Sequence, residues 1–176
     1  MRRVGHGVAF VLVLLAPGAA LAKTTTETLG DIGQIAVPAA GLLVAGVKHD
    51  GKGVLQLAEA FGTTMAITYI LKSTVDRTRP NGGSQSFPSG HAASAFAGAA
   101  FLQIRYGWIY GLPATAAAVF VGYSRVESKE HWTSDVVAGG AIGVAANLVF
   151  TRRYHNASLA PVVGPHTVGA VLAASW

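Results

Sequence analysis

Between Ile32 and Phe150 the chain passes through five apolar stretches, and only one of the breaks between them is long. In the second stretch Leu55, Ala58, Phe61, Met65, Thr68, Tyr69 and Lys72 recur at spacings of three and four, the mark of a single helical face. The pattern predicts helices over 32–47, 54–72, 89–105, 108–123 and 132–150. The long break, residues 73–88, holds Arg79-Pro80, Asn81-Gly82-Gly83 and Phe87-Pro88, where proline and glycine forbid regular structure and demand a loop. An all-α bundle of five main helices follows, and 176 residues suffice for one such domain but hardly for two.

The ends read differently. Residues 1–22 carry two arginines, an apolar run from Val8 to Leu15, the break Pro17-Gly18 and the small-residue ending Ala20-Leu21-Ala22. This has the form of a secretory signal cleaved after Ala22, and the run is short of the ~20 residues that span a bilayer. The domain is then 23–155. The tail, 156–176, carries Pro161, Gly164-Pro165 and Gly169, alternates weakly, and is compatible with a short β-hairpin packed on the helices. Export would permit disulfides, yet the chain has no cysteine, so packing alone must hold it together.

Only 12% of residues are charged, well under the usual share for a soluble domain, and glycine and alanine run high, as they do where helices pack closely. Five basic residues, Lys48, Lys52, Arg105, Arg152 and Arg153, fall on one face of the bundle, which matches the positive-inside rule for a membrane protein whose other face meets the periplasm. Each apolar run is nevertheless only about 15 to 17 residues, which also fits a soluble periplasmic bundle. The net charge of +5 suits anionic lipid or an anionic small molecule; without a Lys/Arg run or an aromatic-interleaved basic stripe, nucleic acid is not the expected partner.

The unusual residues concentrate in three segments, Lys72–Pro80, Pro88–His91 and Ser124–Asp135. All fall at helix ends that converge in an up-and-down bundle. Lys72, Arg79 and Arg125 bring three positive charges, two of them planar forks that match the oxygens of a phosphate. Ser89 sits where it can cap a helix, Gly90 lets a ligand approach the backbone, and His91 lies in the first turn, where free N–H groups attract anions. His131 and Asp135, four apart, would share a helical face, and a carboxylate so placed can hold an imidazole in one tautomer. Two histidines and a carboxylate could also ligate a metal, but three neighbouring cations would repel a divalent ion.

Taken in order, Lys72-(six residues)-Arg79-Pro80, Pro88-Ser89-Gly90-His91 and Ser124-Arg125-(five residues)-His131-(three residues)-Asp135 resemble the three signature motifs of the type 2 phosphatidic acid phosphatase superfamily, which includes the vanadium haloperoxidases. The resemblance implies that Lys72, Arg79, Ser89, Gly90 and Arg125 bind phosphate and that His131 attacks phosphorus. It further implies that His91 protonates the leaving oxygen and then activates water, and that Asp135 orients His131, with no metal or other cofactor. The expected substrate is a phosphate ester or pyrophosphate, foremost a lipid phosphate, with the site facing the periplasm from the inner membrane. Soluble periplasmic esters are one alternative; vanadate-dependent halide oxidation is another, although the chain is short for it.

Overall fold

The computed structural model describes residues 24–154 together with the backbone of 156–164 and 167–175; the expected signal sequence, 1–22, lies outside the described residues. Five helices form the domain: α1 (Thr25–Val47), α2 (Gly51–Thr74), α3 (Gly90–Tyr106), α4 (Trp108–Glu127) and α5 (Thr133–Phe150). In the tail, β1 (Asn156–Gly164) pairs antiparallel with β2 (Thr167–Ser175), Asn156 opposite Ser175. Whether the tail packs on the helices turns on side chains outside the described residues.

The largest departure from the periodicity is at α1, which starts at Thr25 rather than Ile32. Thr24 caps it, its hydroxyl accepting the N–H of Glu27 at 3.1 Å, and Glu27 places a negative charge at the positive end of the helix. The polar run 24–31 is therefore helix and not an approach to one, and this matters for the site below.

Helix α3 is the axis of the bundle and packs against all four other helices. Its buried residues are nearly all small, Ala92, Ala93, Ala95, Ala97, Gly98, Ala99 and Ala100, with Phe101 and Leu102 below them. Where α5 crosses it, a side chain at Gly139 would come 2.3 Å from the Ser89 carbonyl oxygen and one at Gly143 2.6 Å from that of Ala93. Backbones thus approach through small residues, the packing that serves where no water drives association.

The large apolar side chains face outward instead. Ile35, Leu43, Val137 and Leu148 are each about two-thirds exposed, while the core holds alanines. That is the reverse of the usual soluble arrangement and matches a lipid-facing surface. Helices α1, α2 and α5 are long and apolar enough to cross a membrane. By the same measure α3 and α4 are not.

At the end where the α1–α2 turn meets the C-termini of α3 and α5, Arg105 is buried against Asp50. Both carboxylate oxygens accept from its guanidinium, and Asp50 also takes bonds from the Tyr106 hydroxyl at 2.7 Å and the Gly53 N–H at 2.9 Å. Of the five basic residues on this face, Arg105 is thus held in a buried ion pair.

Candidate active site

Loop 75–89 is held at the opposite end of the bundle by its own backbone: Arg79 N–H bonds to Gly83 O at 2.7 Å, and Ser86 N–H to Arg77 O at 2.8 Å. Lys72, at the last turn of α2, donates to Gln85 O at 2.7 Å and so ties that helix to the loop. Ser89, fully buried, caps α3 by accepting the Ala92 N–H, and its own N–H bonds to Asp135 O at 2.9 Å. Gly90 opens the helix at the point where the free N–H groups of its first turn lie.

His131 is buried, 4% exposed, in the connection between α4 and α5, and its N–H bonds to Arg125 O at 3.1 Å. Its ring Nδ1 lies 2.7 Å from the backbone carbonyl of Ser86. A carbonyl can only accept, so in the neutral ring Nδ1 carries the proton and Nε2 keeps its lone pair. Burial, together with the charges of Lys72 and Arg79, outweighs the Ser86 bond and Asp135 and lowers the pKa of His131 to about 4. At neutral pH the ring is uncharged, with Nε2 left unprotonated.

Asp135 does not grip this ring directly, contrary to the expectation from their spacing. Its Oδ2 is 3.9 Å from His131 Nδ1, beyond hydrogen-bond range. The reason is local: α5 begins at Thr133, after Trp132 as N-cap, so His131 precedes the helix and the four-residue rule does not apply. Fully buried Asp135 instead accepts the Trp132 N–H at 3.0 Å, the Ser86 hydroxyl at 2.5 Å and Arg77 Nη1 at 2.6 Å. Ser86 stands between the two: its hydroxyl donates to Asp135 and its carbonyl meets the ring of His131.

Ser86 and Arg77 were not among the sequence candidates. Arg77 also bonds Ser134 at 2.9 Å and stacks over the Trp132 ring at 5.8 Å, so it fastens the loop to the head of α5.

The remaining residues border a cleft of about 490 Å³ lined by Glu27, Asp31, Gln34, Ile35, Arg79, His91, Arg125 and Glu130. It is not purely cationic. Arg79 pairs with Glu130 at the rim, and Arg125, 2% exposed, donates to Asp31 at 2.7 Å and to Glu27 O at 2.6 Å. His91 Nε2 lies 3.0 Å from the same Asp31 oxygen. Arg79 and Arg125 connect the two histidines: both side chains line the cleft with His91, while the charge of one and the carbonyl of the other act on His131. All eight sequence candidates thus lie at one end of the bundle, and Arg79, His91 and Arg125 line the cleft.

Residues 53–159 match the PAP2 superfamily, and the chain belongs to that superfamily. A lipid A 4'-phosphatase of Helicobacter pylori is 31% identical over 140 residues, which cover 73% of this chain and 70% of that protein. A lipid A 1-phosphatase of Porphyromonas gingivalis is 32% identical over 127 residues, 66% of this chain but only 28% of that protein, so the chain spans less than a third of its length. Among solved structures, LpxE of Aquifex aeolicus superposes with a TM-score of 0.63 at 22% identity over 73% of this chain and 87% of that one, a likeness of fold.

Proposed function

We propose that the protein is a phosphatase that removes phosphate from a lipid at the membrane–water boundary, on the outer face of the inner membrane, by a metal-free route through phosphohistidine. The observation that carries this reading is the Ser86 carbonyl at His131 Nδ1, which leaves Nε2 to act as the nucleophile. Nε2 attacks phosphorus as the bond to the leaving oxygen breaks, and His91 gives that oxygen its proton. Water then attacks the phosphohistidine, His91 takes the water's proton, the P–N bond breaks, and phosphate leaves. Lys72, Arg79, Arg125 and the N–H groups at the head of α3 oppose the charge on the phosphoryl oxygens throughout.

A lipid substrate is favoured by the cleft's surroundings. Gln34 and Ile35 line it and also line an apolar groove of about 340 Å³ that continues along Pro38, Leu42, Leu57 and Phe61. A headgroup in the cleft would leave an acyl chain beside that groove. The lipid phosphatases among the relatives point the same way.

The test is a panel on the purified protein in micelles, comparing lipid phosphates with short soluble esters, with an acid-quenched search for labelled histidine. Lipid phosphates should be turned over faster, and label should appear in the wild type but not in His131→Gln, which should lose at least about 10⁴-fold in kcat. A His131→Gln protein that remains fully active would rule out the mechanism, whereas faster turnover of soluble esters would rule out only the lipid.

A further inference from the structure

We propose that Asp31 is the positioning residue of the acid–base histidine, and that it couples proton transfer at His91 to phosphate binding at Arg125. This rests on the phosphatase reading above. One carboxylate oxygen, Oδ1, lies 3.0 Å from His91 Nε2 and accepts from Arg125 Nη1 at 2.7 Å. The residue stands on α1, before the stretch 53–159 that matches the superfamily.

The face of α1 around it is shaped for this contact. Glu27, one turn earlier, gives its carbonyl to Arg125 Nη2 at 2.6 Å. Gly30 lets the helix come in: a side chain there would sit 1.9 Å from Ser124 Oγ and 2.5 Å from Arg125 Nη2. Residues 27, 30 and 31 share one helical face. That face meets the arginine of the third motif and, through Asp31, the histidine of the second.

His91 is surrounded by charge from every side of the cleft: Glu27 and Asp31 from α1, Arg79 from the loop, Arg125 from α4, and Glu130 from the α4–α5 connection, with Lys72 of α2 and His131 behind the arginine of the loop. Asp31 is in hydrogen-bond contact with the ring. A carboxylate so placed stabilises the imidazolium, the form that gives its proton to the leaving oxygen, and fixes the ring's angle. After transfer the ring is neutral and accepts the proton of the attacking water; Asp31 itself keeps its charge. Because the same oxygen holds Arg125, a phosphate drawing on that guanidinium also bears on the carboxylate that holds the acid.

The experiment uses the full chain in micelles with two soluble substrates, a short alkyl phosphate and an aryl phosphate of good leaving group. In Asp31→Asn, kcat for the alkyl ester should fall by about 10- to 100-fold, while the aryl ester, which needs little protonation, should lose only a few-fold. The alkyl loss should vanish in a His91→Ala background, since Asp31 acts through that ring. Asp31→Glu, which keeps the charge, should recover part of the loss and carries the same test if Asp31→Asn does not fold. Equal losses on both esters, or a loss that persists without His91, would overturn the proposal while leaving the phosphatase reading standing. A wild type that frees phosphate from neither these esters nor lipid phosphates would overturn both.

Discussion

Each end of the bundle sets a buried arginine against a carboxylate contributed by α1 or the turn that follows it. At one end Arg105 meets Asp50; at the other Arg125 meets Asp31. Around Asp50 the polar atoms are saturated: both carboxylate oxygens are used, and Arg105 Nη1 reaches Gln56 at 3.0 Å and Arg152 O at 2.8 Å. Asp31 is 27% exposed on its side chain and borders an open cleft, where its Oδ1 also lies 3.0 Å from His91 Nε2. The same pair of groups is closed off at one end of the bundle and bordered by an open cleft at the other. Exposure of the carboxylate separates them, 4% for the Asp50 side chain against 27% for that of Asp31, since both arginines are buried.

The largest effect that could break this contrast is at the closed end. Asp50→Asn strands a buried guanidinium, and loss of one partner of such a pair costs about 3–5 kcal/mol. Burial pushes the Asp50 carboxyl up, but bonds from Arg105, Tyr106 and the Gly53 N–H outweigh it and hold its pKa below the ordinary value. Its contribution is therefore present above the unfolded value of 3.8 and is lost as the pH falls through the lower folded value. Denaturation in micelles should show the variant much less stable, with kcat per folded molecule unchanged. A fall in kcat without a fall in stability would mean that the two ends are coupled.

Asp135→Asn tests the open end. The variant keeps the nucleophile but weakens the hold on Ser86 and Arg77, so kcat should drop by about 100-fold, short of the loss in His131→Gln. Ser86→Ala removes the hydroxyl that Asp135 holds but keeps the carbonyl that holds His131. If Asp135 acts by this route, Ser86→Ala should reproduce part of the loss, and adding it to Asp135→Asn should cost little more. Full additivity would return the role to direct contact between Asp135 and the ring.

Why the sequence discloses one part of this arrangement and not another is a matter of range. Helix ends are local, and the alternation of apolar faces with Pro and Gly breaks locates all of them but the start of α1 within a few residues, which brings Lys72, Ser89, Arg125 and His131 to one end. Asp31 escapes because the apolar period begins at Ile32, whereas the helix begins at a threonine cap eight residues earlier. Arg77 and Ser86 lie in the loop, where no period exists, and their partners are 58 and 45 residues away along the chain. The His131–Asp135 spacing misleads for the opposite reason: a helical rule is applied two residues outside the helix. Local physics fixes which residues arrive at the site; which atoms they offer depends on contacts with no local signature.

The smallest effect is the titration of His131 itself. Burial comes first among its causes, followed by the charge of Lys72, and together they hold the ring near 4 against the ordinary 6.5. The folded protein thus binds this proton more weakly than the unfolded chain, so stability should decline as the pH is lowered from about 6.5 toward 4, and His131 should stay neutral down to the lower value. Histidine NMR in micelles can follow the ring directly, free of the substrate's own phosphate ionisation. Lys72→Met should move the midpoint upward by removing a like charge, but only part of the way to 6.5, because the burial remains. A wild-type midpoint already at the ordinary value would mean that water and counter-charge reach the ring freely, and the open end would then differ from the closed one far more than these contacts imply.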